Sequence, residues 1–217
     1  ETKVYQATLF LGTATDTYNS RGQIMVEKAF HGVRDVEETL QSFIGKQQQI
    51  PPIYSAIKVH GKKLYEYARN QEHVDIQPRT IMIEKIELIS QQDQSITFQV
   101  KCSKGTYIRS LCVDIGKKLG YPAHMTHLIR LASGEFYLED CYSLEDIEQG
   151  HYQFMSLEDA FQHFEHYYID DENIVYHGKK IKSDIDHQVV VCNQNHKVLA
   201  VYGPDGEGYL KSIRGLF

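Results

Sequence analysis

Between residues 54 and 69, Tyr54, Tyr65 and Tyr67 alternate with Lys58, Lys62, Lys63 and Arg69. Aromatic faces stack on unpaired bases, and the cations between them can meet phosphates. Any one of these residues reads better as packing or solvation, but the cluster leans toward RNA. A second group is Lys104-Gly105-Thr106, where a strand pattern passes into a helix pattern. Free N–H groups and the positive helix end favour an anion there, phosphate or carboxylate. Arg109, one turn further, can fork onto a carboxylate through two parallel hydrogen bonds. Many strand–Gly–helix turns are only turns, and Tyr107 and Leu128 read equally well as core residues. His124 with His127, and His163 with His166, have a spacing that can serve a metal, but no third ligand lies near either pair in sequence. No metal is expected.

These residues need elements to hold them. Val4 to Leu11 alternates and is rich in β-branched and aromatic residues, which predicts a strand. Gly12 to Gly22 reads as loop. Asp35 to Ile44 places Val36, Leu40, Phe43 and Ile44 on one helical face, with Gly45 as the stop. Tyr54 to Val59 reads as a short strand and Lys62 to Arg69 as a short helix. Ile81–Ser90 and Ser95–Cys102 form a hairpin across a polar turn. Thr106 to Leu119 is helical by period and ends at Gly120. Met125 to Leu138 is mostly extended. Ser143 with Asp146, and Ser156 with Asp159, are helix-capping pairs. Beyond about Phe164, short apolar runs alternate with turn residues such as Gly203-Pro204-Asp205-Gly206, which suggests a small β-rich appendage. Hairpins with segregated helices imply an α+β fold with mainly antiparallel sheet and flanking helices.

The chain has 217 residues, 41% hydrophobic and 24% charged, which is globular composition. No apolar run approaches a bilayer span and nothing near Glu1 reads as a signal peptide, so a cytoplasmic protein without membrane contact is expected. Four irregularly spaced cysteines make neither a zinc site nor a disulfide framework. The net charge of −6 at first argues against nucleic acid. Residues 41–130, however, hold 13 Lys and Arg against 7 Asp and Glu. A basic middle in an acidic chain suits a local phosphate-binding surface, and equally a merely solvated face.

Three stretches together resemble the tRNA pseudouridine-55 synthase family. They are Lys3-Val4-Tyr5 with the strand that follows, Ile50-Pro51-Pro52 through Arg69, and Lys104-Gly105-Thr106-Tyr107-Ile108-Arg109 with His127 to Leu131. The likeness runs from about Lys3 to Leu144. It implies a pseudouridine synthase catalytic domain over residues 1–160, with a thumb-like insertion at about 52–80. A looser likeness implies a PUA-like RNA-binding domain over 161–217. The expected activity is isomerisation of uridine 55 in the T loop of tRNA, with the base flipped out of its stack. Within that resemblance Tyr5 stacks on the target base and exchanges a proton at its C5. Arg109 orients the catalytic aspartate, and Tyr107 and Leu128 line the pocket of the flipped base. Lys58, Lys62, Lys63 and Arg130 complete the expected RNA-binding set. The isomerisation is redox-neutral and consumes no water, so no cofactor is expected.

The resemblance also has a gap. Family members carry a G-H-T-G-T-L-D-P-type segment upstream of the Lys3–Tyr5 strand, and it supplies the catalytic aspartate. These 217 residues hold nothing like it. The chain opens inside a strand pattern, so the expectation is that the segment lies upstream and that this piece by itself is inactive and prone to self-associate, the complete protein being a monomer. The alternative is a non-catalytic tRNA-binding or remodelling module on the same scaffold. Asp16 matches a different family position and reads as a loop anchor.

Overall fold

The computed structural model describes residues 2–216. They divide into two compact units, the first ending at Cys141 and the second starting at Tyr142.

The first unit is built on a six-stranded sheet. Its spatial order is Phe136–Tyr137, Ala123–Ser133, Thr2–Leu11, Ser95–Ser103, Arg79–Gln92 and Gly45–Gln49, with every pair antiparallel. The central strand shows why the sheet is one-sided. Ala7, Leu9 and Leu11 are fully buried, whereas Gln6, Thr8 and Phe10 between them are only half-buried. The helix Ile108–Lys118 lies on the buried face and adds Ile108, Leu111, Cys112 and Ile115 to the core. Fully burying side chains such as Leu111 and Ile115 contributes about 2 kcal/mol each. Gly116 lets this helix approach the sheet, because a Cβ there would run into the Cβ of Ala123. The short helix Val36–Gln41 buries Val36 and Leu40 in the same core.

Three local expectations change. Thr13–Thr15 pairs with Ile24–Glu27, so the segment after Gly12 is half a hairpin rather than loop. Gly45–Gln49, whose run of glutamines carries no strand pattern, forms the sheet edge beside Arg79–Ile83. Only Lys58–Val59 of the expected strand at 54–59 is paired, with Lys62–Lys63.

The second unit is a five-stranded sheet in the order His166–Ile169, Val189–Asn193, Val198–Pro204, Tyr209–Gly215, Ile181–Lys182. Its first pair is parallel and the others are antiparallel. The boundary read from sequence, 160/161, left residues 142–160 with the first domain, whereas the compact division groups them with the second. The reason is contact: Glu158 accepts a hydrogen bond from the Val198 N–H at 3.3 Å, and Phe161 packs on Val190, Cys192 and Val198. Glu1 and Phe217, the outer ends of the two expected domains, lie outside the described residues.

Candidate functional site

The Arg109 helix enters from the turn Lys104-Gly105-Thr106. Gly105 sits at φ +84°, a left-handed conformation that glycine adopts without a steric penalty. Thr106 Oγ1 donates to the Ser103 carbonyl at 2.9 Å and tightens the turn. Tyr107 is the residue just before the first helical turn. Its N–H donates to Gln49 Oε1 at 2.8 Å, and its carbonyl accepts from Gln49 Nε2 at 3.1 Å. One buried carboxamide, 3% exposed, thus satisfies both backbone groups of Tyr107. One residue along, the Ile50 carbonyl accepts from Ser110 Oγ at 2.9 Å. The last residue of the edge strand, Gln49, and the next residue, Ile50, therefore clamp the start of the helix at two points.

Arg109 follows. Its guanidinium donates to the Thr17 carbonyl at 2.9 Å through Nη1 and to the Tyr54 carbonyl at 2.8 Å through Nη2. In this chain the fork meets two backbone carbonyls, one from the Thr13–Glu27 hairpin loop and one from the root of the insertion. Burial pulls the guanidinium below its ordinary pKa, opposed by its neighbour Tyr107. An arginine has ample margin to stay charged at neutral pH. No carboxylate pairs with Arg109 among the described residues.

Tyr5 lies on the central strand, on the face that holds Ala7 and Leu9, and packs at the margin of the core. Across the strand pair, Tyr5 is opposite Arg130 and Ala7 is opposite Leu128. Cross-strand partners share a face. Tyr5, Leu128 and Arg130 therefore stand together on the side of the sheet covered further along by the Arg109 helix. The Arg130 guanidinium lies over the Tyr5 ring, 5.5 Å from its centroid. Leu128 is 40% exposed, so it is an accessible apolar side chain rather than core.

The insertion is a small body of its own. Leu64, fully buried, starts the helix Leu64–Arg69. The N–H groups of Leu64 and Tyr65 return to the carbonyls of Ile57 and Ser55. The tyrosines and cations do interleave, partly with each other. Lys62 sits 4.7 Å from the Tyr67 ring centroid and pairs with Glu72 at 2.6 Å. Lys63 and Arg69 both lie near the Tyr65 ring, at 5.5 and 5.3 Å. Lys58 is exposed, with no carboxylate partner among the described residues.

Of the remaining candidates, Asp16 Oδ1 accepts from the Gln23 N–H at 2.9 Å, the part of a loop anchor. His124 is buried, and its Nδ1 meets the Thr13 carbonyl at 2.9 Å. Among the described residues no three His, Cys, Asp or Glu side chains converge as a metal site. Gln49 is the site residue that sequence reasoning missed. Its only signal is the position directly before Ile50-Pro51-Pro52.

Comparison with known proteins gives this arrangement its setting. A chain in a Cbf5-Nop10-Gar1 complex superposes with a TM-score of 0.66 at 20% identity, over 100% of this chain and 66% of that one. One in an H/ACA RNP bound to a substrate RNA containing 2'-deoxyuridine superposes with a TM-score of 0.63. The chain therefore has the fold solved in these ribonucleoprotein complexes. Residues 1–108 match the TruB family pseudouridylate synthase (N terminal domain), and residues 109–170 match the tRNA pseudouridylate synthase B C-terminal domain. The tRNA pseudouridine synthase B of Bacillus cereus (strain ATCC 10987 / NRS 248) is 38% identical, over 100% of this chain and 78% of that protein. That of Bacillus subtilis (strain 168) is 49% identical over 68% of this chain and 50% of its own length. The chain belongs to the TruB family of pseudouridylate synthases. The junction of the two family regions, at 108/109, falls at the first turn of the Arg109 helix, whose apolar face packs in the first unit's core.

Proposed function

We propose that this chain serves the isomerisation of uridine 55 in the T loop of tRNA to pseudouridine. The observation that carries the reading is a single sheet face. It presents Tyr5, Leu128 and Arg130 beside a doubly clamped helix that bears Arg109, on the scaffold of this family.

In the reaction the bond from ribose C1′ to N1 breaks and a bond from C1′ to C5 forms. The C5 proton leaves and N1 takes one up, with no change of oxidation state. The reacting base must leave its stack first. Tyr5, backed on one ring face by Arg130, offers a surface for the flipped uracil, and its phenolic oxygen, having passed its own proton on, can take the C5 proton. Leu128 supplies an apolar wall, and Tyr107 closes the pocket from the helix entry. Arg109 keeps donors beyond those given to Thr17 and Tyr54, and these can hold a catalytic carboxylate ionised and aimed at C1′. Lys58, Lys62 and Lys63 meet the phosphates of the T stem-loop. The second unit is a PUA-like RNA-binding domain, and the working compartment is the cytoplasm.

The test is pseudouridine formation in a T stem-loop RNA by this chain joined to a G-H-T-G-T-L-D-P-type segment. Arg109→Ala should lower turnover by about 10³-fold, the scale of losing a transition-state contact, with RNA affinity nearly unchanged. Turnover close to the parent's would remove Arg109 from the chemistry. A parent protein that binds the RNA and forms no product would remove the activity.

A further inference from the structure

Tyr107 owes its direction to its main chain. The side chain is half-buried and stands outside the first unit's core. Among the described residues its hydroxyl makes no hydrogen bond, and no ring or cation stacks on it. A side chain held so loosely points where its Cα–Cβ bond points, and that is set by φ and ψ. Here the backbone is extended, at φ −94° and ψ 107°, on the last residue before the Arg109 helix begins.

The two peptide groups that flank Tyr107 fix those angles, and Gln49 holds both. Its Oε1 accepts from the N–H at 2.8 Å and its Nε2 donates to the carbonyl at 3.1 Å. Only one orientation of the carboxamide fits, since a flipped amide would set donor against donor and oxygen against oxygen. The carboxamide is itself fixed. Gln49 ends the edge strand opposite Arg79 and is 3% exposed. The next residue, Ile50, is tied to the same helix through Ser110. The preceding glutamines serve elsewhere: Gln47 donates to the Phe43 carbonyl at 3.1 Å and Gln48 to Thr80 at 2.9 Å.

We propose that Gln49 is a positioning residue for the isomerisation, holding both peptide groups of Tyr107 and so setting the direction in which that ring closes the pocket of the flipped base. The proposal rests on the uridine reading above and adds to it a residue that touches neither base nor sugar. The ring is set before the base arrives, so the base meets a wall already in place. A misplacement of about 1 Å at a reacting centre can cost on the order of 10²-fold in rate, even when its source lies away from the chemistry.

The experiment is single-turnover pseudouridine formation in a T stem-loop RNA by the joined protein of the Arg109 test, well below its melting temperature. Gln49→Ala should slow the chemical step by at least about tenfold and leave the half-saturating RNA concentration within about twofold. Gln47→Ala removes a bond of the same kind from the same strand and should leave both at the parent's values. In the chain as it stands, amide exchange at Tyr107 should be at least about tenfold faster in Gln49→Ala than in the parent. Gln49→Glu supplies the rescue. Near pH 8 its carboxylate faces the Tyr107 carbonyl with oxygen, and its rate should match that of Gln49→Ala. A neutral acid carries one acceptor and one donor, so its rate relative to the parent should climb as the pH falls toward about 5.5, while the ratio for Gln49→Ala stays flat. Burial, and Asp114 across the cavity that Gln49 borders, bring the new carboxyl's titration into that range, with Arg79 opposing. Should Gln49→Ala be unfolded, the climb in Gln49→Glu decides. Parent-like rates or exchange in Gln49→Ala, a flat ratio for Gln49→Glu, or an equal loss in Gln47→Ala overturns the positioning role and leaves the uridine reading intact. A parent that binds the RNA and forms no product overturns both.

Discussion

At Gln49 a single side chain does for Tyr107 what a neighbouring strand would do, giving an acceptor to its N–H and a donor to its carbonyl. Neither group has an obvious substitute partner at a buried position, and an unsatisfied buried polar group costs about 1–3 kcal/mol. Gln49→Ala should therefore lower stability by about 2 kcal/mol in urea unfolding. Gln49→Glu should be no better, since a carboxylate keeps the acceptor, loses the donor and faces the Tyr107 carbonyl. An unfolding midpoint for Gln49→Glu equal to the parent's would refute the clamp. The residue was not legible in the sequence, because Gln47, Gln48 and Gln49 are identical there. The fold separates them: Gln47 bonds the Phe43 carbonyl, Gln48 bonds Thr80 and Gln49 alone is buried. Tyr5 and Arg109, by contrast, stand out in the sequence as candidates, because they sit in stretches whose order and spacing mark the family.

Among the elements, the insertion and the Arg109 helix each carry a measurable consequence. Lys58 is exposed and unengaged, whereas Lys62 must give up Glu72 before it can serve a phosphate. Lys58→Ala should flatten the salt dependence of T stem-loop binding by about one unit of slope, and Lys62→Ala by less. Equal effects would mean that the Lys62–Glu72 pair, an exposed and therefore weak one, dissolves freely on binding. On the helix, Asp114 borders a cavity of about 200 Å³ with Phe43, Gln49, Ile50, Ile81 and Leu111. Burial raises its pKa, with Lys117 opposing. A carboxyl raised on folding favours the folded state at low pH, and that contribution is lost as pH rises through the folded pKa. Asp114→Asn should therefore raise the melting temperature at pH 7 by roughly 1–3 °C, with the gain fading toward pH 4. A gain that grew on acidification would reverse the sign of this account. The Arg79–Ser103 hairpin was plain from its alternation. The strand Ile24–Glu27 was not, since all four residues are exposed and it pairs only with Thr13–Thr15, across a register shift.

For the whole molecule, the division into two bodies could be read from the change of texture along the chain, but its position could not. Residues 142–160 hold two short capped helices whose sequence looks like a continuation of the first domain. Only the contacts of Glu158 and Phe161 with strands some 30 to 40 residues later reveal their allegiance.

Arg109 spends two of its five N–H donors before any substrate arrives. A long, flexible side chain loses about 2 kcal/mol of rotamer entropy when it is fixed. Here that loss is incurred during folding, so a carboxylate or sugar approaching the remaining donors meets an arginine already at rest. The same two bonds make the arginine a sensor of its surroundings. On the role proposed for Arg109, a change that shifts the loop at Thr17 or the insertion root at Tyr54 reaches the reacting centre through one side chain, without touching the substrate.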